Sequence, residues 1–189
     1  MSLAAHPVVD ADTHVYETDA TWSYLADGEK KFRPLTLTAS EVPEDLRARI
    51  KGDMRYWFMG GTLHFRPEGR LDRFAGEGTL EMRDMKARLA DMDKMGVDVQ
   101  VIFSTMFLLL VLPDPERQMA MARAYNRWIA DCCAADPSRL RWVAVIEQTD
   151  KDYWYVQWKA PIDRGRFCLP DAMIAHYKLQ APPELRRSE

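Results

Sequence analysis

Long apolar runs are missing from this 189-residue sequence. The longest, residues 106–112, is seven residues against the roughly 20 that a helix needs to cross a bilayer, so no membrane span is expected. A charge imbalance is missing as well. Twenty-six basic and 29 acidic residues are interspersed and leave a net charge of −3, which gives no electrostatic case for nucleic acid. Cysteine is sparse. Of three, Cys132 and Cys133 are adjacent, and no CxxC pair or disulfide framework exists, which fits a reducing compartment. No basic segment followed by an apolar one stands at residues 1–9, so a secretory signal is not expected. Histidine is scarcer than metal chemistry usually requires, with four in all: His6, His14, His64 and His176. The expectation is a soluble cytoplasmic protein acting on a small molecule, with neither nucleic acid nor membrane as partner and with homo-oligomerisation left open.

What is present is globular in composition, 47% hydrophobic and 29% charged. Residues 8–12 begin with β-branched side chains and turn polar, as a buried strand does on reaching a site. Residues 21–78 are irregular and broken by Pro34, Pro43 and Pro67. Within them, runs at 55–59 and 62–65 flank Gly60-Gly61, a hairpin signal, read either as a flap over a site or as a packed surface hairpin. Periodicity returns at Thr79, whose hydroxyl can cap a helix over 79–95 that carries Met82, Met85, Leu89 and Met92 on one stripe and stops at Gly96. A β-branched strand over 97–104 follows. Asp114-Pro115 then opens a helix over 115–135 that ends before Pro137, with Met119, Ala122, Tyr125 or Asn126, Ile129 and Cys133 toward one side, and residues 141–146 form a third strand. This alternation predicts parallel α/β structure.

Asp12 and His14 are two apart on the first strand, so its two-residue period sends both to one face, and both are good ligands for a divalent metal. The stretch Val8-Val-Asp-Ala-Asp-Thr-His-Val-Tyr-Glu17 resembles the opening of the amidohydrolase-related family, the branch holding aminocarboxymuconate semialdehyde decarboxylase and the resorcylate-type decarboxylases. Further landmarks agree in order: Arg88-Leu-Ala-Asp-Met-Asp-Lys-Met-Gly-Val-Asp98, Asn126-Arg-Trp-Ile129 and Asp136-Pro-Ser-Arg-Leu140. The resemblance covers residues 7–146. It implies a (β/α)8 TIM-type barrel with one catalytic divalent cation, zinc or alternatively manganese, that serves hydrolysis or non-oxidative decarboxylation of a small carboxylated or aromatic substrate. Asp12 and His14 would be the first-strand ligands, Asp12 standing where many relatives carry His or Glu.

Further ligands and the catalytic acid or base normally come from later strands, and no segment here matches them, so catalytic residues stay unassigned. His64 and His176 are more simply a hairpin residue and a solvent-facing one. The chain divides into residues 1–146, the opening of a partial barrel of about three βα units with a long insertion at 21–78, and residues 147–189, an aberrant tail. That tail has a polar start at 147–152, an aromatic run at 153–158, prolines at 161, 170, 182 and 183, and at most a short helix near 171–178. The reading is a truncated or frame-altered relative, expected to be poorly ordered at 147–189. Its alternatives are a compact three-stranded protein whose sheet edge is covered by 153–158 and a fragment that binds without turnover.

Overall fold

A computed structural model describes residues 6–50, 52, 54–66, 77–108 and 112–145, together with the backbone of residues 162–163 and 166–167. Two units divide the chain, Met1–Ile146 and Glu147–Glu189. Of the second, only the antiparallel pairing of Ile162–Asp163 with Arg166–Phe167 is described. The expected strand at 153–158, the helix near 171–178 and the order of the tail lie outside the described residues.

The first unit is built on an open parallel sheet. Its strands are β1 (Val9–Val15), β5 (Val99–Ser104) and β6 (Leu140–Trp142), in the order β1-β5-β6, both pairings parallel. Between β1 and β5 lie α1 (Asp19–Trp22), β2 (Leu35–Leu37), β3 (Tyr56–Met59), β4 (Thr62–Phe65), α2 (Glu77–Leu80) and α3 (Met85–Met95); α4 (Pro115–Cys133) joins β5 to β6. This is the expected α/β class, with adjacent parallel strands and crossover helices; among the described residues the sheet does not close into a barrel.

Several boundaries differ from expectation. The first strand runs on to Val15 rather than stopping at Asp12, because Thr13, His14 and Val15 pair with Ile102, Phe103 and Ser104. The second starts at Val99, since Gly96 is left-handed (φ 69°), Val97 donates to Met92 O at 2.9 Å in closing α3, and Asp98 binds the Val8 amide at 2.7 Å. The third is confined to Leu140–Trp142. The helix foreseen over 79–95 is two helices. Met82, at φ 54°, interrupts it, and the cap is Asp84 rather than Thr79: its carboxylate accepts from the Ala87 amide at 2.9 Å. Asp114 caps α4 as read, accepting from Arg117 N at 3.2 Å, with Pro115 following.

The residues at 21–66 are more regular than their sequence pattern. Gly60 and Gly61 take φ of 58° and 76°, the paired positive angles of a tight hairpin turn, and join β3 to β4; β2 completes a three-stranded antiparallel sheet. The hairpin is packed rather than a loose flap. Trp57 and Met59 meet Trp22, Leu25 and Phe32, and this cluster rests on Leu112, Ala120, Met121 and Ala124 around the first half of α4. Trp22 and Trp57 stack edge to face, ring centroids 5.9 Å apart. The rest of α4 (Tyr125, Trp128, Ile129, Cys133) packs with Val15, Met92, Ile102 and Leu140 in the core under the parallel sheet. Helix α4 therefore carries two cores, where the sequence suggested one side only.

Candidate functional site

The geometry of β1 is set by an irregularity in its pairing. Asp10 stands beside Gln100 and Thr13 beside Ile102, which leaves two residues, Ala11 and Asp12, for the single position of Val101. One extra residue in one strand is a bulge. Paired residues of a parallel sheet point the same way, and on β5 the residues Gln100, Ile102 and Ser104 are buried while Val99, Val101 and Phe103 are half-exposed. Thus Asp10, Thr13 and Val15 belong to the helix side of the sheet. His14 belongs with Phe103 to the opposite, open face, its ring 5.9 Å from the Phe103 ring.

Alternation alone would have put Asp10, Asp12 and His14 on one face as three possible donors. The bulge removes Asp10 from that set. Its carboxylate accepts instead from the Thr13 hydroxyl, from the Asp12 amide at 3.2 Å and from Gln100 Nε2 at 3.5 Å. Gln100 in turn accepts from buried Arg88 at 3.0 Å, and Arg88 donates to Thr79 O at 2.7 Å. Arg88, part of the resemblance to the family, thus holds α3 to β5.

Asp12 and His14 come together near the C-terminal end of β1, with Asp12 Oδ1 3.3 Å from His14 Nε2; the Asp12 side chain is 92% exposed and that of His14 32%. Two donors bound to one ion at about 2.0–2.1 Å in tetrahedral geometry stand roughly 3.4 Å apart, so the pair fits a shared zinc ion. The fit stops at two donors. Among the described residues no group of three His, Cys, Asp or Glu side chains converges as a metal site would need. His14 Nδ1 is buried without a hydrogen-bond partner, although a metal-bound imidazole ordinarily anchors its second nitrogen on a carboxylate or carbonyl. A cavity of about 330 Å³ along β1 is lined by Asp12 and His14 and, from the helix side, by Asp10, Arg88, Asp91 and Gln100.

His64 lies on β4 beside Trp57 and belongs to the antiparallel sheet; burial lowers its pKa, as for an imidazole kept neutral. His6 precedes β1, and His176 lies outside the described residues.

The sequence reading gave Glu17 no role, yet it is the most heavily perturbed carboxyl in the site region. It lies two residues beyond β1 and is 2% exposed. Its Oε1 meets the Ser104 hydroxyl and its Oε2 accepts from the Met106 amide at 3.0 Å; Phe107 N donates to Ser104 Oγ at 3.0 Å. Burial pushes its pKa up to about 7 and these hydrogen bonds only partly offset the rise. Nothing in the sequence signals this, because burial of a carboxyl after a strand depends on what packs over it.

The fold is thus an open parallel α/β sheet with crossover helices, and Asp12 and His14 lie side by side on its first strand. No family model and no curated protein matches the chain. Among solved structures it is similar in fold to an amidohydrolase from Mycobacterium avium subsp. paratuberculosis K-10, at TM-score 0.53 and 19% identity over 82% of this chain and 47% of that one. The chain therefore spans about half the length of that structure, and the likeness concerns the fold.

Proposed function

We propose that the chain is the opening part of a metal-dependent hydrolase or non-oxidative decarboxylase that acts on a small carboxylated or aromatic molecule. The observation that carries this reading is the 3.3 Å approach of Asp12 Oδ1 to His14 Nε2 on the open face of a parallel sheet, at the strand end where such barrels place their chemistry. These two residues would hold the ion, zinc or manganese. When bound, it would supply Lewis-acid polarisation or an activated water. Binding by this chain alone should be weak, because two protein donors leave the coordination sphere to solvent or to groups beyond those described. Asp12 is exposed and hydrogen-bonded through its amide to Asp10, and the His14 ring packs beside Phe103.

The two-donor count favours a second reading, in which the described residues keep the fold and bind ligand without turnover. Calorimetric titration with zinc or manganese distinguishes them. The parent protein and His6→Ala should bind equally, His14→Ala should not bind, and all three should melt within a few degrees of one another. Equal binding by His14→Ala and the parent would remove Asp12 and His14 from consideration as a metal site.

A further inference from the structure

We propose that Glu17 is a protonation-dependent latch, which in its neutral form fastens the turn after β5, residues 105–108, to the end of β1 and on ionisation lets that turn open. The geometry is that of a buried clasp. Oε1 meets the Ser104 hydroxyl and Oε2 takes the Met106 amide, while Ser104 also receives the Phe107 amide, so one carboxyl from beyond β1 holds the last residue of β5 and Met106 of its exit turn directly, and Phe107 through Ser104.

Among the described residues, the groups that bond or face that carboxyl are neutral. The exit turn contributes Ser104, Thr105, Met106 and Phe107; α4 contributes the phenol of Tyr125, whose own pKa is raised by burial first and by the Glu17 charge second. Among the described residues no cation pairs with Glu17; burial alone favours its neutral form, and the hydrogen bonds from Ser104, Met106 and their neighbours, which favour the charge, do not outweigh it. An uncompensated buried carboxylate is costly, whereas a carboxylic acid can donate to Ser104 Oγ while still accepting from Met106 N. The Tyr125 hydroxyl and Thr105 Oγ1 are buried without partners, so two further hydroxyls stand ready to rearrange when the charge forms.

Burial in the closed turn holds the Glu17 pKa at about 7, above the ordinary glutamate value of 4.5, so an opened turn releases the proton earlier than a closed one. Opening should become about tenfold easier for each pH unit between 4.5 and about 7 and level off above that.

Amide hydrogen exchange at Met106 and Phe107, corrected for the intrinsic pH dependence, reads this directly on the whole chain. The expected result is protection that falls tenfold per pH unit across that window in the parent protein and stays flat in Glu17→Gln, which keeps the shape and cannot ionise. Flat protection in the parent, or the same slope in Glu17→Gln, overturns the latch. If Glu17→Gln does not fold, a carbonyl infrared band of a protonated carboxyl, assigned by glutamate-specific isotope labelling, supplies the second measurement: loss of such a band near pH 7 in step with Met106 deprotection is expected, and deprotection with no titrating carboxyl overturns it. Neither readout involves metal, so the latch and the Asp12–His14 site stand or fall separately.

Discussion

Side chains that carry the resemblance to amidohydrolases prove to do structural work in most cases. Asn126 pairs both ends of its amide with Val145, donating to its carbonyl and accepting from its amide at 2.9 Å each, and so pins the chain beyond β6 onto α4. Asn126→Ala should cost about 1–3 kcal/mol in denaturant unfolding, since it strands a part-buried backbone amide and carbonyl together. Asn126→Asp, which can accept but not donate, should recover only part of the loss, and a variant as stable as the parent would refute the pinning role. At this scale the Asp12–His14 relation was legible, because the period of two survives between those residues. The fate of Asp10 was not: its hydrogen bonds to Thr13 and Gln100 depend on a shift in register, and register is a property of two strands. Glu17 escaped for a similar reason, its burial being imposed by Ser104 and Met106, some 90 residues away.

Helices and strands were legible where their end signals were strong. Asp114-Pro115 and Gly96 mark true ends, and Gly60-Gly61 a true turn. The helix expected from Thr79 failed because its methionine stripe continues through a break: Met82 is buried, as Met92 is, but sits at φ 54°, and Arg83 and Asp84 both donate back to Gly78 O. Periodicity registers which side chains are buried and is blind to a left-handed residue between two helical pieces. The cap assignment is open to test. Asp84→Ala should destabilise the protein by about 1 kcal/mol, against a few tenths for an exposed substitution elsewhere on α3. Gly61→Ala should likewise cost about 1 kcal/mol or more, because alanine resists the positive φ. Thermal melts that rank Asp84→Ala with neutral surface changes would return the cap to Thr79.

For the whole of the first unit, two expectations follow from burial. The antiparallel sheet and the parallel sheet share α4, so Met121→Ala in one core and Ile129→Ala in the other should each cost about 2–5 kcal/mol and neither should release one sheet alone. A single transition seen both by fluorescence of the tryptophans and by far-ultraviolet circular dichroism is expected; two separated transitions would make 21–66 an independent lid. Stability should also be greatest on the acid side of neutrality. The Glu17 contribution is fully present below pH 4.5 and is lost, by about 3 kcal/mol, as the pH rises to about 7. Glu29 acts oppositely. Burial raises its pKa, but hydrogen bonds and charge from Arg123, with the Ala26 amide and Arg127, outweigh burial and leave it lowered, so its contribution is lost as the pH falls below the ordinary carboxylate range. Guanidinium midpoints measured from pH 4 to 8 should peak near pH 5, and a flat or rising profile up to pH 7 would contradict the burial of Glu17. The α/β class and strand order were legible at this scale because crossover connections admit few arrangements. The second core was not, since no pattern in residues 21–66 announces what it rests upon.

The doubled position on β1 gives the strand one residue of slack, at one place. Loss of a single codon for Ala11 would leave Asp10 beside Gln100 and Thr13 beside Ile102 with Asp12 alone opposite Val101, so both faces would keep their occupants. Loss of a codon anywhere from Thr13 onward would shift parity downstream and exchange the face that holds His14 for the one packed on the helices. Tolerance to shortening in this strand is therefore confined to Ala11 and Asp12, and of those two only Ala11 can go without removing the carboxylate that stands beside His14.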